Sequence, residues 1–261
     1  FNDPGFRQFP GYAVAALGYA SFNAWALGRA DLARDRMAQA MAAADPNNPF
    51  DLAFSEMIAA YLGVGLREYA QAEALAARAL ARAETHQFPD VVALSRGFLG
   101  GARAQLGRAA EGVALIRQGV TGMLEIGRRA HVAYCLGALA EAQASEGAIG
   151  DALQTVEQAL EANPDELAWR PEHLRLRGTL QLSQGQPELA EADIREAIAL
   201  AQRMGAKAWE LRATVSLARL LAQQGRRDEA RTMLAEIYGW FTEGFDTADL
   251  KEAKALLEEL L

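Results

Sequence analysis

Along most of the chain, apolar residues return every three or four positions and polar residues fill the gaps. Between residues 186 and 204 (QPELAEADIREAIALAQRM), Leu189, Ile194, Ala197, Ile198 and Ala201 share one face while Glu and Arg hold the other, as in a helix with one buried stripe. Residues 151–162 repeat the design with Leu153, Val156, Ala159 and Leu160. No segment sustains a two-residue alternation, so no sheet is predicted. Pro46, Pro49, Pro89, Pro164 and Pro171 fall between stretches, where helices must stop, and Asp3-Pro4 and Phe9-Pro10 bracket the start of the first.

The helices come in a repeat. Gly28, Gly63, Gly107, Gly147, Gly185 and Gly225 punctuate the chain at intervals of 35, 44, 40, 38 and 40 residues. Each reads as the left-handed residue ending the first helix of a pair. Five positions later stand Ala33, Gly112, Ala152, Ala190 and Ala230; in the second unit Ala70 stands at seven, as though its turn carried a two-residue insertion. Seven positions before the glycine stand Gly100, Ala140, Gly178 and Ala218, and about nine after it Met37, Ile116, Val156, Ile194 and Met233. Small residues belong where paired helices cross, large ones where a pair packs on the next. This is the tetratricopeptide pattern, lengthened from its usual period of about 34 residues. It predicts an all-α, right-handed superhelix (solenoid) forming one domain over 1–261. Hairpins span 10–46, 50–88, 90–127, 130–163, 171–204 and 207–239, with a capping helix over 247–261.

Composition removes several function classes. A net charge of −8 and a pI near 5.1 argue against a general nucleic-acid binder. No apolar run approaches the roughly 18 residues of a membrane span. A lone Cys135, inside the apolar run Val132–Ala140, excludes a disulfide framework or a thiolate zinc site and reads as a buried small hydrophobe. His86, His131 and His173 are scattered, with no metal or triad spacing. The expectation is a chain that is not an enzyme by itself and takes no metal or cofactor. With no leader pattern, and an opening Phe1-Asn2-Asp3-Pro4 that reads as the middle of something longer, it is expected in the cytoplasm.

First helices of stacked pairs line an inner groove. Counted back from each turn glycine, groove positions hold Phe22, Trp25, Met57 and Tyr61, then Tyr134 and Glu141, then Arg175, Arg212 and Arg219. An aromatic end and an Arg-bearing end would suit a peptide with apolar side chains followed by acidic groups, since aromatics and Arg most often carry interface energy. The plainer alternative makes the aromatics core and pairs the arginines with Glu172, Glu210 or Glu141. Tyr238, Trp240, Phe241 and Phe245 would cap the open end of the last repeat, with Asp246 or Thr247 capping the final helix; the alternative is a docking site for further domains. Asp249, Glu252, Glu258 and Glu259, set against Lys251 and Lys254, read as a solvated outer face.

The segments GAKAWELRA (205–213), SLAR (216–219), GRRDEAR (225–231) and YGWFTEGFDTADLKEAKALL (238–257) resemble the C-terminal tetratricopeptide-repeat region of bacterial class III adenylate/guanylate cyclase–ATPase fusion proteins of the signal-transduction type. Some relatives carry a winged-helix DNA-binding domain in place of the cyclase. Asn2-Asp3-Pro4 and Trp25-Ala-Leu-Gly28 echo the family's first tail repeats. No G-x-x-x-x-G-K-[ST] phosphate loop and no metal-binding aspartate pair occur here, so catalysis implied by the resemblance lies outside these residues. The resemblance implies a sensing task. Its groove would capture a peptide, a protein segment or a small effector and regulate the parent. The alternative is a dimerisation scaffold holding the parent's catalytic or DNA-binding domains together.

Overall fold

In a computed structural model the described residues are 10–163 and 166–261; the expectations placed on residues 1–9 and on Pro164 lie outside them. Thirteen α-helices and no strand occur among these residues. They are α1 (Pro10–Ala26), α2 (Ala30–Ala43), α3 (Pro49–Gly65), α4 (Tyr69–Thr85), α5 (Pro89–Gln105), α6 (Ala109–Glu125), α7 (Val132–Ser145), α8 (Ile149–Ala162), α9 (Arg170–Ser183), α10 (Pro187–Met204), α11 (Lys207–Gln223), α12 (Arg227–Trp240) and α13 (Ala248–Glu259).

The six intra-pair turns share one chemistry. In each, a backbone N–H closes back over five residues: Arg29 to Ala24, Glu68 to Gly63, Arg108 to Arg103, Ala148 to Gln143, Gln186 to Gln181 and Arg226 to Leu221, at 2.8–3.1 Å. This is a Schellman closure, which needs one left-handed residue. Gly28, Gly107, Gly147, Gly185 and Gly225 supply it; in the second pair it is Arg67, with φ +62°. Gly63 is therefore not a turn residue. It lies inside α3, where an added Cβ would approach Ala72 to 3.2 Å. The predicted insertion disappears, because Ala72 stands five after Arg67 just as Ala33 stands five after Gly28.

Packing follows the small-residue register. Ala33, Ala72, Ala152, Ala190 and Ala230 are fully buried at the crossings. At Gly100 a Cβ would stand 2.7 Å from the Gly112 carbonyl oxygen, so α5 and α6 touch backbone to backbone. Met37, Ile116, Val156 and Ile194 are buried as expected, but in the last pair Leu234 fills that place and Met233 is half-buried. Ile194, Ala197, Ile198 and Ala201 form the buried stripe of α10, whereas Leu189 is 54% exposed; Ala190, one position on and about 100° round the helix, takes its place at the crossing.

Each first helix packs on the next, α1 on α3, α3 on α5, and so on to α11, and α11 returns to touch α1. The two ends thus meet along a seam. Glu243 Oε1 accepts from the backbone N–H groups of Asp31 and Leu32 at 3.2 and 3.3 Å, capping α2 from more than two hundred residues away. Arg34 bridges Asp246 at 3.1 Å and Glu68 at 2.7 Å. Trp240 seats on Gly28, where a Cβ would come within 2.6 Å of its ring; only glycine serves there, both for its φ of +81° and for its bareness. The run from Tyr238 to Phe245 therefore joins the end of the superhelix to its start. Thr247 stands at the N-cap of α13, yet its hydroxyl donates to the Gly244 carbonyl instead of capping the helix, and Asp246 is engaged by Arg34.

Candidate functional site

The inner face has two halves. In one, Phe22 and Trp25 of α1, Tyr61 of α3, Phe98 of α5, Tyr134 of α7, Trp169 before α9 and Trp209 of α11 close into one buried array. Phe22 stacks on Tyr61 at 4.1 Å between centroids, Tyr134 meets Trp169 at 4.7 Å, and Trp169 meets Trp209 at 4.8 Å. Trp25 stands edge-on to Trp209 at 4.7 Å. The Trp169 indole N–H donates to the Tyr61 hydroxyl at 2.7 Å. Phe22, Met57 and Tyr61 are buried and border neither the cavity nor the recess described below. The aromatic end of the groove is therefore closed at Phe22 and Tyr61, where the ends of the superhelix meet, while Tyr134 and Trp169 still border a small recess.

The other half keeps a cavity of about 150 Å³. Glu141, Arg175, Arg212 and Arg219, four of the residues read as groove positions, border it together with Arg67, Glu172, Asp249 and Glu252. Arg175 grips Glu172 through two bonds of 2.8 and 2.9 Å and also reaches Ser216. Arg212 bonds both Asp249 oxygens, at 2.9 Å through Nε and 2.8 Å through the other nitrogen, and donates to the Gly65 carbonyl. Arg67 reaches Asp249 at 3.2 Å and also Glu252, while Arg219 meets Glu252 at 2.7 Å. Glu210 takes no part with these arginines; it pairs with Lys207 at 2.6 Å and accepts from Gln202. Asp249 and Glu252 are not on a solvated outer face. Their spacing on α13 turns them to the cavity, whereas Lys251, Lys254, Glu258 and Glu259 are exposed.

Arg212 is the link between the halves. Its guanidinium lies 5.2 Å from the Trp25 ring and 5.1 Å from the Trp209 ring, so cation–π attraction holds it on the aromatic array while its hydrogen bonds face the carboxylates.

Behind the main cavity a recess of about 40 Å³ opens between α4, α5, α7 and α9, bordered by Tyr69, Gln105, Tyr134, Glu141, Trp169 and His173. Burial drives the titrating groups here. It pushes the Tyr69 phenol up to about 12 and keeps the His173 imidazole neutral, down to about 4. Burial also raises Glu172, but the charge and hydrogen bonds of Arg175, with the charge of Arg212, overcome it and bring that carboxyl down to about 2. Glu141 goes the other way: burial and the Glu172 charge raise it, incompletely offset by Arg175 and Arg212. His131 is buried at the start of α7 and pushed down to about 4, mainly by burial, while His86 is exposed. Cys135 is buried and its thiol is pushed up to about 12, which keeps it protonated and unreactive. Among the described residues no group of His, Cys, Asp and Glu could hold a metal ion, and no helix is long and apolar enough to cross a membrane.

Sequence reasoning missed Arg67, Tyr69, Gln105, Asp249 and Glu252 as site residues. Gln105 had a signal, since it stands two before Gly107 as Gln223 stands two before Gly225. Arg67 had none, because nothing in an arginine side chain marks a left-handed turn. Phe241 is buried against the last pairs, Tyr238 is half-buried, and Trp240 and Phe245 keep exposed edges.

The MalT-like TPR region family matches residues 56–257. No curated protein sequence matches the chain. Among solved structures, a Rap protein complexed with Competence and Sporulation Factor superposes with a TM-score of 0.71 at 13% identity, over 100% of this chain and 70% of that one. Bacillus thuringiensis PlcR, in complex with the peptide PapR7 and DNA, gives 0.65 at 15% identity over 80% and 74%. A thermophilic TPR protein of Thermus thermophilus gives 0.57 at 20% identity over 80% and 98%.

Proposed function

Starting from the fact that the chain belongs to the family of MalT-like TPR regions, we propose that it is a non-catalytic sensor module that binds a short peptide or small polar effector in the inner cavity and regulates a larger signalling protein. The observation that carries this is the cavity itself: four arginines and four carboxylates brought from five places in the chain to one water-accessible hollow. A structural ion-pair network alone would close over its charges, as the aromatic half closes over its rings. At about 150 Å³ the hollow admits a chain end or a small molecule and excludes a folded segment. The similar folds of the Rap protein and PlcR, solved with Competence and Sporulation Factor and with a peptide respectively, support the peptide reading. The resemblance of residues 205–257 to cyclase–ATPase tails supports a nucleotide cyclase as the parent.

Because the cavity walls run from Arg67 and Tyr69 in the second pair to Asp249 and Glu252 on α13, a ligand there favours the state in which these distant elements stay together. Binding shifts the parent only by the difference in affinity between closed and open states. Native mass spectrometry of the chain with a pool of pentapeptides tests the reading. The native chain is expected to retain a subset as a one-to-one complex, and Ser216→Trp, which fills the hollow, is expected to lose that subset while keeping its helical circular dichroism. Retention of the same subset by both chains, or a dimer that retains none, would overturn it.

A further inference from the structure

The ion pairs of the cavity do not satisfy its carboxylates equally. Glu172 has two hydrogen bonds from Arg175, Asp249 has those of Arg212 and Arg67, and Glu252 has Arg67 and Arg219. Glu141 has only the neutral Gln105 amide, donating at 2.9 Å, and a shared Arg175 at 3.7 Å. It keeps 31% of its side-chain surface open, towards the cavity and its recess.

The recess beside it holds two further unspent polar atoms. Tyr134 and His173 border the recess, and the Tyr134 hydroxyl and His173 Nε2 are buried with no hydrogen-bond partner. Gly101 and Gly137 make room for them, since a Cβ at either would press on the hydroxyl at 2.9 Å or on Nε2 at 2.5 Å. Leaving such atoms unpaired is costly unless something fills the space. Glu141 and the Tyr134 oxygen are acceptors, and the neutral imidazole is a third in the tautomer with its proton on Nδ1. Tyr69, Tyr134 and Trp169 add ring surfaces to the same wall.

We propose that this recess is a seat for a protonated primary amine, with Glu141 as its counter-ion and the Tyr69, Tyr134 and Trp169 rings as its cage; the proposal rests on the inner-cavity reading above. An ammonium brings three N–H donors to three acceptors, and its charge is drawn to aromatic faces. A space of about 40 Å³ takes that group and little more. Arg212 also borders the recess, but its hydrogen bonds go to Asp249 and the Gly65 carbonyl, so a carboxylate or phosphate entering there would meet Glu141 and Glu172 and no uncommitted cation. The amine can come from a peptide N-terminus or from a small free amine.

Calorimetric titration of the full chain with pentaglycine, N-acetylpentaglycine and 1,5-diaminopentane tests this. Pentaglycine is expected to bind, and acetylation, which removes the charge, to weaken it by at least about tenfold. Glu141→Gln is expected to weaken pentaglycine by a similar factor, and Tyr134→Phe, which keeps the ring, by a few-fold. Binding of the diamine as tightly as pentaglycine assigns the seat to free amines; binding of pentaglycine alone assigns it to a peptide N-terminus. Equal binding of the acetylated peptide, unchanged binding by a folded Glu141→Gln chain, or no binding of either amine would overturn the proposal. In that case a subset retained from the pentapeptide pool would leave the cavity reading standing, and loss of both would remove it too.

Discussion

The aromatic and charged halves of the interior are built on the same first helices, one or two turns apart: Tyr134 and Glu141 share α7, Trp209 and Arg212 share α11. Their side chains make the difference. Flat rings interlock at centroid distances below 6 Å and leave no more than small recesses at their edges. Arginines and carboxylates pair at hydrogen-bond distance, yet a polar hollow of about 150 Å³ stays open between them. One superhelix thus divides its axis into a part that holds the fold and a part free to recognise something.

The comparison breaks most visibly at Trp209, which is fully buried against Trp25 and Trp169. Trp209→Ala is expected to cost about 3–5 kcal/mol by urea unfolding, while Ser216→Ala, two turns along the same helix on the cavity wall, stays within about 0.5 kcal/mol. Similar losses at both sites would erase the distinction between packed and hollow halves.

Within the charged half the arginines are also expected to separate. Arg212 and Asp249 are nearly closed off from solvent, with side chains 10% and 8% exposed. Arg212→Ala leaves that carboxylate buried without its main partner and is expected to cost about 3 kcal/mol or more. Arg219 is 50% exposed, and Arg219→Ala is expected to cost less than about 1 kcal/mol. Equal effects would mean that the seam does not depend on Arg212.

Much of this was readable from spacing. Five of the six turns announced themselves by glycine, and the crossing alanines by their fixed offset. The second turn did not, because Arg67 carries a left-handed backbone under a side chain chosen for Asp249 and Glu252. The origin taken at Gly63 was wrong by four residues, yet four residues rotate a helix by only about 40°, so Met57 and Tyr61 still fell on the inner face. What spacing could not supply was closure. Glu243 on α2, Arg34 on Asp246 and Arg67 on α13 join residues about two hundred positions apart, and periodicity within a helix says nothing about which distant element faces it. For that reason Asp249 and Glu252 read as solvated, and the aromatic positions read as an open groove.

The most direct test of the account is the titration of the Glu141 side-chain carboxyl by carbon NMR, with and without saturating pentaglycine. Tyr69 from α4, Gln105 from α5, Glu172, His173 and Arg175 from α9 and Arg212 from α11 all face this part of the cavity. In the free chain Glu141 is expected to titrate above the ordinary glutamate range, because burial and Glu172 outweigh Arg175 and Arg212. A carboxyl raised in the fold favours folding as pH falls through its value and costs stability once ionised at neutral pH. Glu141→Gln should therefore leave the free chain at pH 7 as stable as before or slightly more so. An ammonium beside the carboxylate reverses the balance, so the bound chain is expected to titrate lower and to release a proton on binding where the free carboxyl is protonated. An ordinary value in the free chain that pentaglycine does not move would contradict the claim that Glu141 is the charge the interior leaves for a ligand.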